Sequence, residues 1–378
     1  MRRGTVGDGA VRAAGPDRGR TAAGTSWATP RTGPAQARAG DRGDLARILT
    51  VALTPPSCWR RRIPACPRVL LVAALLAGGL GACGDDSGGG TAPSAPGAAS
   101  ASAATACTAT SVDERLDVRY ADSPGVDPAV QSLDLYLPEG CEDAPVVVWV
   151  HGGAFAHGDK RHRVADKVDW FTGRGWAFAS LNYRLLDDPR SGPDGAMYPR
   201  AEQDVADAVG WLVDHAGELA IDPGRVALLG HSAGAFLVAV VGTDPQFLDA
   251  AGVGLDGVAC VAPLDGTYDV RAHVAAGGFQ GDMYVAAIGD DPATQRAASP
   301  PDAVRPDAGT PAFHVVTRGP RVRVAQSEAF VGALADAGVE AGLTDAGRLG
   351  HAEVNAAVGQ PGDEVVTPPL TAFLDGCL

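Results

Sequence analysis

From about residue 112 the chain alternates between two hydrophobic periods. "RLDVRYA" and "QSLDLYLP" alternate apolar and polar residues with period two, which predicts two antiparallel strands. "APVVVWVHGG" and "WAFASLNYRL" are continuous apolar runs, the pattern of strands buried on both faces. "YPRAEQDVADAVGWLVDHAGELA" places Val205, Ala208, Val209 and Leu212 at helical spacing and predicts an amphipathic helix. "RVALLGHSAGA" reads as a strand, Val226 to Leu229, turning into a helix from Ala233 to Val241. "GVACVAPLDG" and "AFHVVTRG" predict further buried strands. "VAQSEAFVGALADAG" predicts a helix closed by Gly338. "VEAGLTDAG" predicts a last strand and "DEVVTPPLTAFLDGCL" a short C-terminal helix. No internal repeat is visible. This alternation implies fold class α/β: a mostly parallel central sheet with helices on both faces, in one domain of roughly 265 residues.

The stretch before residue 112 has a different character. Residues 1 to about 60 are rich in Arg, Gly, Ala and Pro and have too little apolar periodicity to build a core. "CWRRRIPACPRVLLVAALLAGGLGAC" then sets Arg60, Arg61, Arg62 and Arg68 before an apolar run from Val69 to Leu80. That is the order of a secretory signal, and the run is too short to span a bilayer. It ends in Leu80-Gly81-Ala82-Cys83, which resembles the lipobox of bacterial lipoproteins. The resemblance implies cleavage before Cys83 and a diacylglycerol on its thiol. The expected organisation is a basic extension with a lipoprotein signal at 1–82, a flexible tether at 83–111 and an α/β domain at 112–378. No Met occurs between Met1 and Met197. Translation is therefore expected to start downstream of Met1, at a non-Met codon such as that of Val51.

Charge follows the same division. Residues 1–82 hold 13 Lys and Arg against four Asp and Glu, whereas residues 83–378 hold 18 against 41. A domain this acidic repels phosphate, so no nucleic-acid partner is expected. Cys107, Cys141, Cys260 and Cys377 remain beyond Cys83, an even number in an exported domain. Cys107 with Cys141 is the favoured pair, and Cys260, in a strand-like run, is also compatible with a buried free thiol.

Candidate chemistry begins at "LLGHSAGAF". Gly230-His231-Ser232-Ala233-Gly234 is a Gly-x-Ser-x-Gly pattern on a strand-to-helix turn, the context in which the serine is exposed as a nucleophile. Gly230 and Gly234 leave room for strand and helix to cross, and the helix N-terminus favours negative charge nearby. "VHGGAF" at the end of the third strand supplies the second piece. Backbone N–H groups of Gly152, Gly153 and Ala233 are the expected donors to an oxyanion.

With both motifs in place, the chain resembles an α/β-hydrolase of the HGG-type esterase branch. That branch includes hormone-sensitive-lipase-like, feruloyl-esterase-like and arylformamidase-like proteins. "LDLYLP", "VVVWVHGGAFAHGDK", "NYRL", "IDPGRVALLGHSAGA" and "GHAEVNAAVGQPGD" carry the resemblance in order along residues 115–375. Ala154 stands where many members have a third glycine, and Ala235 where many have glycine after "SAG".

The fold places the base in the loop after the last strand, which singles out His351 in "LGHAEVN". His151 is expected to hold the glycine loop, His231 to point away from the pocket, and His314 to lie within a strand. His157, His162, His215 and His273 fall in segments that read as surface. The acid is the departure from the family. "TRGPRVRVAQ" after the seventh strand has no carboxylate, only Arg318, Arg321 and Arg323. Three explanations stand open: Asp265 or Asp269 at the end of the sixth strand, Glu353 or Asp345 beside the histidine loop, or a weak, degenerate site.

The expected function is hydrolysis of small or medium acyl esters outside the cytoplasm, with a lipid anchor at Cys83 holding the protein to the cell membrane. Amide or formamide hydrolysis uses the same residues, and a non-catalytic ligand-binding lipoprotein is the rival from another class. No cofactor and no metal are expected, because no clustered His/Cys ligand pattern occurs. Segment 267–310 is expected to build part of the substrate pocket.

Overall fold

The structure, a computed structural model, describes residues 107–378 apart from Asp194. The signal segment, Cys83 and most of the tether lie outside the described residues. The strands are β1 Val112–Arg119, β2 Ser132–Pro138, β3 Ala144–Val150, β4 Ala177–Leu181, β5 Ile221–His231, β6 Cys260–Leu264, β7 Ala312–Thr317 and β8 Ala341–Asp345. They form one sheet in the order β1-β2-β4-β3-β5-β6-β7-β8. β2 runs antiparallel to β1 and β4, and the remaining neighbours are parallel. The mostly parallel architecture is the one expected from the sequence.

Helices α1 Ala165–Thr172, α2 Arg200–Asp214, α3 Ala216–Leu219, α4 Ala233–Val241 and α5 Pro245–Ala250 interleave with the first strands. An all-helical insert follows β6: α6 Val270–Ala276, α7 Gly278–Ile288, α8 Pro292–Ala297 and α9 Pro300–Ala303. α10 Arg321–Asp336, α11 His351–Ala357 and α12 Thr367–Cys377 complete the chain. The periodicity missed α1, α5, the insert and α11, which stands where a loop was expected around His351; most of these helices carry too few turns for a clear stripe.

Successive side chains on a strand face opposite sides of the sheet, and each side has its own core. Val146, Val148 and Leu228 pack on one face with Val205 and Leu212 of α2, Phe236 of α4 and Leu334 of α10. Val147, Trp149 and Leu229 pack on the other with Phe171 of α1, Val354 of α11 and Leu374 of α12. β3 is buried along its whole length, which accounts for its unbroken apolar run. α4 is buried on every side, so "AGAFLVAVV" needs no polar face.

Two boundaries differ from expectation. β5 starts at Ile221, because Ile221 pairs with Ala144 ahead of a register shift. α10 starts at Arg321, so Arg321 and Arg323 belong to its first turn and the β7–α10 connection is only Arg318-Gly319-Pro320. At the N-terminal end, Thr110 and Ser111 already pair with Glu139, and Cys107 is bonded to Cys141.

The second disulfide joins Cys260, the first residue of β6, to Cys377, the last of α12. The free-thiol alternative for Cys260 therefore does not hold: α12 packs on that face of the sheet and brings Cys377 within bonding reach. The bond closes a loop of sequence separation 117. Cys377→Ser is expected to lower unfolding free energy by about 2–5 kcal/mol. Urea unfolding of the two proteins without reductant checks this; equal midpoints and slopes would show that the bond contributes nothing.

Candidate active site

Parallel strands deliver their C-terminal ends to one edge, and the candidate residues gather there. Ser232 occupies the single position between β5 and α4, with φ 59° and ψ −117°. Its N–H donates to Leu264 O of β6 at 3.0 Å, which holds the turn against the next strand. The crossing is too tight for side chains. A Cβ on Gly230 would lie 2.3 Å from Gly234 O, and one on Gly234 would lie 2.1 Å from Val150 O. The two glycines of the motif are thus required by the approach of α4 to β5 and β3.

His351 opens α11, and its Nε2 lies 2.8 Å from Ser232 Oγ. Its Nδ1 lies 2.5 Å from Asp265 Oδ2. A carboxylate only accepts, so Nδ1 carries the proton and Nε2 of the neutral ring accepts from the serine hydroxyl. Asp265 directly follows β6, with φ 51°, and its N–H donates to Val316 O at 2.7 Å. Its side chain is fully buried. Arg318 Nε donates to the same Oδ2 at 2.6 Å. Arg323 Nη2 forms an ion pair with Oδ1 at 2.7 Å and donates to the backbone oxygen of Asp265 at 2.6 Å. Burial by itself would raise the Asp265 carboxyl. The His351 hydrogen bond, the Arg323 charge and the Arg318 hydrogen bond outweigh it and hold the group below the usual carboxylate range.

Among the acids left open by the sequence, the structure brings Asp265 to the imidazole and gives the others different work. Asp269 accepts from Ala272 N and caps α6. Asp345 accepts from Gly347 N in a turn. Glu353 accepts from Gly350 N at the start of α11. The three-residue β7–α10 connection has no room for an acid-bearing loop, and its arginine reaches across to β6 instead.

The glycine loop packs directly on the serine: a Cβ on Gly152 would lie 2.9 Å from Ser232 Cβ. Ala233 begins α4 beside it, and Gly152 and Gly153 line the same cavity as Ser232. His151 is buried, its Nδ1 contacts Gly152 O at 2.9 Å, and its ring stacks on Tyr183 at 4.5 Å. Tyr183 Oη donates to His151 O at 2.9 Å. Burial holds the His151 imidazole down to about 4. α11 is tied to α1 by Lys167 Nζ, which donates to Asn355 O at 2.8 Å.

Two histidines stand otherwise than expected. His231 lines the site: its Nε2 contacts the backbone oxygen of His351 at 2.8 Å, and the two rings lie 4.6 Å apart. The side chain after Gly230 turns toward α11 because the β5–α4 turn packs against that helix's first residue. Burial, with the neighbouring His351, holds its imidazole down to about 4. His273 is buried rather than on the surface, because α6 packs on α7 and sets its ring against Tyr284.

A cavity of 590 Å³ opens on Ser232 between the glycine loop and α11, with Phe279 of α7 at its rim. Part of the 267–310 segment therefore does line the site. A hydroxyl bonded to an imidazole whose far nitrogen is held by a buried carboxylate lowers the cost of removing the hydroxyl proton.

A family model described as BD-FAE matches residues 133–254, from β2 through the elbow and α5. Esterase LipQ of Mycobacterium tuberculosis is 31% identical over 209 residues, covering 52% of this chain and 47% of that protein. The chain thus spans about half the length of this curated relative. Among solved structures, a truncated carbohydrate esterase from gut microbiota superposes with TM-score 0.58 at 20% identity, over 72% of this chain and 98% of that one. Esterase B from Lactobacillus Rhamnosis does so with TM-score 0.58 at 21% identity, over 72% and 88%. The chain has the α/β-hydrolase fold.

Within the α/β-hydrolase core, one group among the described residues has metal-ligand geometry: His231, Asp265 and His351, with ligand atoms within 4.8 Å of one another. His231 Nε2 is engaged on His351 O and His351 Nδ1 on Asp265, while two guanidinium groups flank the carboxylate. These donors and charges do not suit a cation. The sequence reading missed Arg318 and Arg323 as partners of Asp265. The available signal was two arginines standing where an acid was due, in an otherwise acidic domain.

Asp265→Asn is expected to lower kcat for ester hydrolysis by about 10⁴ while the protein stays folded, because the imidazole loses both its tautomer and its counter-charge. Steady-state kinetics on protein verified by circular dichroism checks it. A change below about threefold would remove Asp265 from the mechanism.

Proposed function

We propose that the chain is a serine carboxylesterase acting on small or medium acyl esters. The observation that carries this reading is the continuous relay from Ser232 Oγ to His351 Nε2 at 2.8 Å and from His351 Nδ1 to Asp265 Oδ2 at 2.5 Å. Ser232 attacks the ester carbonyl and His351 takes its proton. Asp265 keeps the ring oriented and stabilises the imidazolium. The N–H groups of Gly152, Gly153 and Ala233 receive the developing oxyanion. His351 then protonates the leaving alcohol, and a water activated by the same imidazole releases the acid and regenerates Ser232. The named esterases among its relatives support the same activity. The non-catalytic alternative drew its support from the missing acid after β7, and Asp265 at the imidazole withdraws that support.

The reading places the enzyme outside the cytoplasm, anchored through Cys83. Two disulfides in the domain suit an oxidising compartment.

Short-chain p-nitrophenyl esters should be hydrolysed by residues 84–378 and not by the Ser232→Ala variant, and a fluorophosphonate probe should label the first protein alone. Equal activity and equal labelling of both would remove the hydrolase reading. For the anchor, the full chain expressed in a bacterium should partition into detergent phase, and Cys83→Ser should shift it to the aqueous phase; an unchanged partition would exclude lipidation there.

A further inference from the structure

A second cavity, of 250 Å³, adjoins Ser232 on the Asp265 side. Ala154, Phe279, Met283 and Tyr284 give it apolar walls, and Arg318 and Arg323 give it a cationic end. Its charged lining is two guanidinium groups and one carboxylate, a local excess of positive charge in a strongly acidic domain.

The pair is more than Asp265 needs. Oδ2 already serves His351 and Arg318, and Oδ1 is ion-paired with Arg323 but accepts no hydrogen bond among the described residues. Each guanidinium has five N–H donors. Arg318 spends its Nε on Asp265, and its two Nη groups have no hydrogen-bond partner among the described residues. Arg323 spends Nη2 on Asp265 and Gly266, while its Nε is buried without an acceptor. The Arg318 side chain remains 23% exposed and the Arg323 side chain 16%. A planar pair of free Nη groups matches a carboxylate in bidentate geometry.

We propose that the preferred ester carries a carboxylate, seated against Arg318 and Arg323 while its carbonyl sits at Ser232. The proposal rests on the hydrolase reading above and names the substrate class of that same site. An apolar stem lies along Phe279 and Met283, and the anionic end supplies the acceptor that the arginines lack. The carboxylate belongs either to the acyl part, as in half-esters of dicarboxylic acids, or to the alcohol part, as in acylated hydroxy acids.

Two substrate pairs separate these sources: 4-nitrophenyl hemiglutarate against 4-nitrophenyl valerate, and 4-acetoxybenzoate against phenyl acetate. In one pair at least, kcat/KM should favour the anionic ester by about tenfold, the scale of one charge-assisted hydrogen bond. Arg318→Gln disturbs Asp265 and lowers both rates, so the ratio is the readout. A residue that only positions Asp265 would leave the ratio unchanged, whereas a specificity residue collapses it toward one. Raising ionic strength on the unaltered enzyme should also shrink the preference, which covers a variant that misfolds. A ratio below about fivefold in both pairs, or one unchanged in folded Arg318→Gln, overturns the proposal. Titration of monomethyl glutarate against methyl valerate, and of 4-acetoxybenzoate against phenyl acetate, into the Ser232→Ala protein keeps the two readings apart. Selective binding of the anionic member of either pair, without turnover of any ester by the unaltered protein, removes the hydrolase reading alone. Absence of selective binding removes the carboxylate site.

Discussion

A carboxylate sealed from water is stable only when its charge is met, and Asp265 is met from three sides. The His351 imidazole, the Arg318 guanidinium and the Arg323 guanidinium all converge on it. These partners come from two stretches of the chain, both distant from Asp265: the β7–α10 connection with the first turn of α10, and the start of α11 after β8. Removing any one would leave a buried charge in deficit, so the carboxylate ties the carboxyl edge of the sheet together. The same interaction fixes the His351 ring and, through it, the hydrogen bond to Ser232.

The sheet makes that convergence possible. Parallel register sets the ends of β3, β5, β6, β7 and β8 side by side, with Ser232 N bonded to Leu264 O and Asp265 N to Val316 O. Each candidate group is therefore held by the backbone of the next strand as well as by its own. The glycines at 230 and 234 let the turn sit low enough for this, and the strained torsions of Ser232 are carried by the packing of a wholly buried α4.

Arg318 and Arg323 unite two features that looked unrelated. The absence of an acid after β7 and the presence of arginines there are one arrangement: the acid sits on β6, and the arginines compensate it from the place it vacated. Their surplus donors face a cavity walled by the insert between β6 and β7. In the proposed function, the chemistry at Ser232 and the selection of the ester share one electrostatic centre.

Local pattern was enough for the α/β class, most strands, the elbow serine, the glycine loop and the late histidine. Those features depend on side-chain periodicity and on turn geometry, which neighbouring residues dictate. The partner of the imidazole was beyond that reach. Asp265, Asp269, Asp345 and Glu353 are indistinguishable as residue types near strand ends, and only the assembled sheet decides which lies against His351 and which cap helices or close turns. The inward turn of His231, the burial of His273 and the Cys260–Cys377 bond were decided in the same way. Each depends on a contact between segments distant in sequence, and such contacts leave no periodic trace in the chain.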